Sequence, residues 1–146
     1  MSRLGRDRIL GLIPHDGAMC LLDGVEDWNE AGIICLSARY AAADNPMRRA
    51  DGTLGTATVI EIAAQAMALH GRLIAPEEGP PRPGFLVALR DVRLRAATLP
   101  PDIGPLTVSA RQIMGDARGA TYGFIVMAAG DEWLNGRATV LFEVTP

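Results

Sequence analysis

From Gly84 to the C-terminus, apolar and polar residues alternate with a period of two in four separate runs. In "LTVSARQIM", Leu106, Val108 and Ala110 fall on one side of an extended chain and Thr107, Ser109 and Arg111 on the other. That is the spacing of a sheet with one covered face. "TYGFIVMAAG" continues the pattern, and "EWLNGRATVLFEV" sets Leu134, Gly136, Ala138, Val140 and Phe142 against Arg137 and Thr139. In "GFLVALRDVRLRAA" the apolar parity switches, from Phe85, Val87 and Leu89 to Val92, Leu94 and Ala96. One extra residue turns a strand over, so a bulge is predicted near Arg90-Asp91. "GDARGA" and "AGDE" supply hairpin links between these runs.

The segment before them follows another rule. "TVIEIAAQAMALHGRLI", from Thr58 to about Ile74, contains no proline and many good helix formers. It is apolar nearly all round, broken only by Glu61, Gln65 and His70 before Arg72, as in a helix buried on most sides. Upstream, residues 6–13 predict a short amphipathic helix stopped by Pro14. "AMCLLDGVEDW" and "GIICLSARY" read as two strands joined at "NEAG". Ala41 to Gly55 carries Asp-Asn-Pro and Asp-Gly turn signals without periodicity, a loop of a length that often serves function. "APEEGPPRPG" is a proline-rich connector after the helix. Two strands, one apolar helix, then antiparallel strands make an α+β order. Residues 1–146 form a single domain in which the sheet buries the helix by curling around it.

Composition narrows the function. The chain has 146 residues, 49% of them hydrophobic, enough for one core. A net charge of −3 and a pI near 5.3 show no basic excess for nucleic acid. All 14 basic residues are arginine, which excludes lysine Schiff-base chemistry. Cys20 and Cys35 fit neither a zinc spacing nor a disulfide framework and are expected to be reduced, packed thiols. No metal or cofactor is expected. The apolar run from Ile9 to Ile13 is too short for a signal-peptide core or a membrane span, so a cytoplasmic location follows, with no membrane partner.

The sharpest chemical signal is Glu61. A carboxyl among Ile60, Ile62 and Ala64 is expected to resist ionisation through desolvation, which suits a general acid, or a base poised near neutrality. The competing explanation is a capping box, with Thr58 at the N-cap and Glu61 reaching back to the first backbone N–H. Gln65 lies one turn after Glu61 on the same face. His70 lies nine residues beyond Glu61, about half a turn around the axis, and is expected to be structural. Arg48 and Arg49 in the loop, and Arg93 and Arg95 on a strand, either form solvated surface or receive a phosphate or an acidic partner.

"IPHDGAMCLLDGV" resembles the N-terminal motif of the hotdog-fold 3-hydroxyacyl-acyl carrier protein dehydratases, and "VIEIAAQAMALHG" resembles their central helix signature. "PGFLVALRDVRL" is similar to their third-strand region, so the resemblance spans most of the chain. It is strongest toward the branch associated with aryl-polyene clusters. The resemblance implies a long helix wrapped by an antiparallel sheet of about five to six strands. It also implies a homodimer or higher even oligomer joined at sheet edges, and an acyl thioester on a carrier protein or coenzyme A. Exposed edge strands also need covering on physical grounds.

In that family a loop histidine pairs with a helix carboxylate. Glu61 matches the carboxylate. The histidine position falls at Asn45, next to Pro46, and an amide cannot shuttle protons. His15, after Pro14, is then the only candidate replacement base. Dehydration needs a base for the C2 proton, an acid for the departing hydroxyl, and donors for the thioester oxygen. The expected site is Glu61, Asn45 and His15, with Gln65, Thr58, Pro46, Arg48 and Arg49 around the substrate. Two alternatives stand beside dehydration: thioester hydrolysis through Glu61, and a non-catalytic subunit that binds acyl chains or partners an active dehydratase.

Overall fold

The computed structural model describes residues 3–13, 17–75, 84–100 and 102–142. The elements run, in chain order, β1 (Leu4–Gly5), α1 (Arg6–Leu10), a 3-10 turn (Gly17–Met19), β2 (Gly24–Asn29), β3 (Gly32–Ser37) and a second 3-10 turn (Arg39–Ala41). They continue as β4 (Leu54–Gly55), α2 (Thr56–Ile74), β5 (Gly84–Leu94), β6 (Thr98–Leu99), β7 (Leu106–Gly115), β8 (Gly119–Ala128) and β9 (Asp131–Phe142). Seven strands form one antiparallel sheet in the order β1-β2-β3-β7-β8-β9-β5, and β4 pairs with β6.

Period-two alternation decides which face of the sheet receives the helix. Cys35, Val108, Ala110, Tyr122, Phe124, Val126, Leu134 and Ala138 are all buried, and α2 packs over this face against β3, β7 and β8. In return α2 buries Val59, Ile62, Ala63, Ala66, Met67 and Leu69. Each large aliphatic side chain among them contributes about 1.5–3 kcal/mol by leaving water. This is the mutual burial expected of a helix that is apolar nearly all round.

The predicted bulge is present. The β5–β9 register shifts between Arg90 and Arg93, and Asp91 takes a left-handed φ of 53°. The shift turns Val92 inward over Gly136, where a Cβ would stand 3.0 Å from Val92 Cγ2 and 3.1 Å from Phe124 Cζ. The β8–β9 link at Ala129-Gly130 has φ of 52° and 82°, the paired positive angles of a tight hairpin turn.

Several expectations need correction. The sheet has seven strands rather than five to six, because the two-residue edge strand β1 is too short to leave a period in the sequence. "AMCLLDGVEDW" is a strand only from Gly24; Ala18 and Met19 belong to the first 3-10 turn, and Cys20 to Asp23 is irregular backbone held by side chains from elsewhere. The helix starts at Thr56, two residues before Thr58. Its N-cap is Gly55, with no side-chain capping bond, and β4–β6 pairing at Gly55↔Thr98 fixes that start. Thr58 is buried inside the first turn, so the capping-box explanation of Glu61 is overturned. Pro14, His15 and most of the proline-rich connector lie outside the described residues.

Candidate functional site

Glu61 sits in the second turn of α2, half-buried. Its Oε1 accepts a hydrogen bond from Gln65 Nε2 at 3.0 Å, one helical turn along, as the i, i+4 spacing allows. Gln65 is itself fully buried and immobilised. Its Nε2 also donates to the Met19 carbonyl at 2.7 Å, and its Oε1 accepts from the Leu21 N–H at 2.8 Å. Both amide hydrogens are therefore engaged, and the carboxamide acts as a fixed strut between Glu61 and residues 19–21.

That segment is held from its other side as well. Arg6 Nη1 donates to the carbonyls of Cys20 (2.6 Å) and Leu22 (3.0 Å), and its Nη2 to that of Gly17 (2.9 Å). Ser37 Oγ donates to the Leu21 carbonyl at 2.6 Å. Irregular buried backbone needs such partners. Arg6 and Ser37 were invisible to sequence reasoning, because their partners are backbone carbonyls, which carry no residue signature.

The loop before α2 is organised by Asn45. Its Nδ2 donates to the Tyr40 carbonyl at 2.8 Å, and its Oδ1 accepts from the Met47 N–H at 3.0 Å. Arg48 N–H donates to the Asn45 carbonyl at 3.0 Å, closing a β-turn with the exposed Pro46 in the position that favours proline. Asn45 is only 4% exposed, so its carboxamide shapes the loop. Arg48 Nη1 donates to the Ala41 carbonyl at 2.6 Å and braces the same turn. Bonds from the Thr53 hydroxyl and N–H hold the Asp51 carboxyl below its ordinary range.

Arg49 lies differently from Arg48. A Cβ on Gly55 would overlap the Arg49 guanidinium, so the bare N-cap glycine lets a cation approach the start of α2. Guanidinium and helix N-terminus together bring positive potential to one spot. Thr56 Oγ donates to the Ala97 carbonyl at 3.2 Å nearby.

His70 belongs to the core. Its Nε2 meets the Asn29 carbonyl at 2.8 Å and its Nδ1 the Tyr122 hydroxyl at 2.7 Å. A carbonyl can only accept, so Nε2 carries the proton and the tyrosine donates to Nδ1. Burial pushes the His70 imidazole below its ordinary value and the Tyr122 phenol up to about 12. Cys20 and Cys35 are free, buried thiols, and burial pushes Cys35 up to about 12. Among the described residues no cluster of histidine, cysteine or carboxylate side chains is able to hold a metal. No described helix is long and apolar enough to cross a membrane. His15 lies outside the described residues, whereas Met19, four positions later, is bound to Gln65.

A long helix wrapped by a curled antiparallel sheet, with a carboxylate on its second turn, is the architecture of a hotdog protein. The profile of the ApeP-like family, ApeP dehydratase, matches residues 8–143, and the chain belongs to that family. No curated protein matches. Among solved structures, the dehydratase heterocomplex ApeI:P from Xenorhabdus doucetiae aligns with a TM-score of 0.81 at 21% identity, covering 94% of this chain and 91% of that one. A mutant thioesterase from Pseudomonas aeruginosa aligns at 0.61 and 12% identity over 86% and 84% of the two chains. A hypothetical thioesterase with coenzyme A from Streptococcus pneumoniae aligns at 0.57 and 10% identity over 82% and 84%. At these identities the structural likenesses establish the fold alone.

Proposed function

We propose that the chain takes part in eliminating water from a 3-hydroxyacyl thioester, with Glu61 as its principal carboxylate. The observation that carries this reading is the Glu61–Gln65 strut in a chain of a dehydratase family. A helix carboxylate is held in one orientation by an amide that is itself locked to Met19 and Leu21. Orientation of this kind is what a proton-transferring group needs.

The chemistry then divides as follows. A base removes the C2 proton, the electron pair forms the C2–C3 double bond, and the C3–O bond breaks as an acid protonates the departing hydroxyl to water. Charge growing on the thioester oxygen is met by N–H groups in the first turn of α2, beside Arg49. Glu61 serves as acid to the hydroxyl. Of the two histidines, His70 has both ring nitrogens engaged in the core, which leaves His15 as base. His15 stands four positions before Met19 in the sequence, and Met19 is tied to the residue that holds Glu61. Asn45 maintains the loop and moves no proton. Arg49, rather than Arg48 with its bond to the Ala41 carbonyl, is the loop residue suited to an anionic group on the thioester carrier, whether a carrier protein or coenzyme A.

The assembly reading rests on β5. It forms one edge of the sheet and leaves Phe85, Leu86, Val87 and Leu89 at 56%, 39%, 52% and 40% exposure. Open apolar edges of this kind invite pairing with another strand. Edge-to-edge pairing with a second hotdog chain, in a homodimer or with a different subunit, covers it.

The test is to incubate the purified chain with 3-hydroxyacyl and saturated acyl thioesters, following enoyl formation against free-thiol release. Enoyl product supports the proposal. Thiol release without enoyl product replaces it with hydrolysis. Silence in both, reversed by adding a second hotdog subunit that is inactive alone, assigns this chain a shared site; silence in every arm refutes catalysis.

A further inference from the structure

The sheet face turned away from α2 carries a row of arginines that nothing in the proposed chemistry uses. Arg111 on β7 pairs in register with Gly123 on β8, Gly123 with Arg137 on β9, and Arg137 with Arg90 on β5. Directly opposed residues point to the same face, so three guanidinium stems stand in one line across four strands with a bare glycine between two of them. Arg93 joins the same face because of the bulge at Asp91: it pairs with Asn135, two residues from Arg137 on β9. Without the extra residue, Arg90 and Arg93 would face opposite sides. The structure shows no hydrogen bond or ion pair from Arg90, Arg93, Arg111 or Arg137 to another described residue. By contrast, Arg95 stands 3.9 Å from Asp131 and lies over the Trp133 ring.

Two features of this arrangement are unfavourable in the isolated chain. Arg90 and Arg137 are like charges directly opposite one another, which weakens a strand pair. Asp91 sits in the left-handed region, where non-glycine residues are uncommon. Both act to gather positive charge over one groove of about 730 Å³, lined by Arg93, Arg111 and Arg137 together with Ile113 and Ile125. A second depression of about 380 Å³ shares Ser109 and Arg111 and continues over Ile34. The aliphatic members are open to solvent, with Ile113 55%, Ile125 40% and Ile34 37% exposed.

The dimensions and chemistry identify the occupant. Strands lie about 4.8 Å apart, so Arg137 is about 5 Å from Arg90 and about 10 Å from Arg111 across the sheet. Carboxylates at i and i+3 or i+4 of a helix stand about 5–6 Å apart, and i+7 lies about 10.5 Å along the axis. A single phosphate is too short to meet a row of this length. A nucleic acid strand would set its continuous charge against Asp91 and Glu132, which also line the groove. A helix with acidic positions along one stripe and apolar ones beside it meets the arginines and the isoleucines together. We infer that the outer face of β7, β8, β9 and β5 is a docking surface for an acidic amphipathic helix of another protein.

The test uses the full chain and a fluorescent helical peptide of about 18 residues, with glutamates at i, i+4 and i+7 spacing flanked by leucines. Fluorescence anisotropy is expected to show saturable micromolar binding that weakens severalfold between about 50 and 300 mM salt, as screening shortens the reach of charge. The Arg111→Glu/Arg137→Glu double variant is expected to bind at least about tenfold more weakly, a loss of about 1.4 kcal/mol. Arg118→Glu, in the β7–β8 turn, is expected to leave binding unchanged. In the absence of peptide, Arg137→Gln is expected to raise the melting temperature by roughly 1–4 °C, because it removes the opposed pair. No saturable binding below about 1 mM, a double variant that binds like the wild type, or equal binding of a single-stranded oligonucleotide would each overturn the proposal; about 1 mM is the weak end of specific association.

Discussion

Replacing Gln65 with leucine removes the strut between Glu61 and the irregular segment while nearly preserving volume. The side chain is fully buried and makes three hydrogen bonds, to Leu21 N–H, Met19 carbonyl and Glu61. Leucine leaves the two backbone groups without that partner, and each buried orphan costs about 1–3 kcal/mol. Added burial of an apolar side chain offsets part of this, so a net loss of about 2–5 kcal/mol is expected. Against the 5–15 kcal/mol typical of a domain, that is a large fraction, and it lowers the melting temperature by roughly 5–15 °C for a chain of this size. Thermal unfolding by circular dichroism measures the global effect. Hydrogen exchange at Leu21 measures the local one, because its amide loses its acceptor and should exchange much faster in the variant. A melting temperature within about 2 °C of wild type, together with unchanged protection at Leu21, would refute the strut.

Two other consequences follow from the same geometry. Burial holds the His70 imidazole neutral and below its usual value of 6.5, so below about pH 6.5 the unfolded chain takes up a proton that the folded chain resists, and stability falls as pH falls. Melting curves between about pH 7.5 and 5.5 should show this decline, flatter in His70→Gln; equal slopes would remove His70 as the cause. Val87→Lys places a charge on the half-exposed β5 edge and should convert a dimer, or a complex with a second hotdog chain, into monomers in light scattering after size exclusion. An unchanged mass would place the interface elsewhere.

Long-range architecture was legible wherever burial imposes a period. Alternation located β7, β8 and β9, the parity switch located the Asp91 bulge, and the nearly all-apolar helix announced its own enclosure. Helix limits were readable to within two residues at the start and matched at the end, because Gly55 as N-cap gives no side-chain signal and β4–β6 pairing is only two residues long. The segment from Ala18 to Asp23 misled because Leu21 and Leu22 are buried in a core without belonging to a strand, their backbone bonded instead by Arg6, Gln65 and Ser37. Around the site, Glu61 and Gln65 were readable as polar breaks on one apolar face. The engagement of Asn45 and Arg48 with loop carbonyls was not, since a side chain's choice between a backbone group and a ligand depends on the folded path of the loop. The outward aim of Arg93 needed both the bulge and the register with Asn135.

Turnover of a 3-hydroxyacyl thioester by wild-type and Glu61→Gln protein, in whatever assembly proves active, is the most direct measurement. Glutamine keeps the size of the side chain and accepts the same bond from Gln65, but it has no exchangeable acid proton. The expected result is a fall of about 10²–10⁴-fold in kcat, the range supplied by a positioned proton donor or acceptor, with the fold and melting temperature preserved. Full turnover in the Glu61→Gln protein would contradict the account.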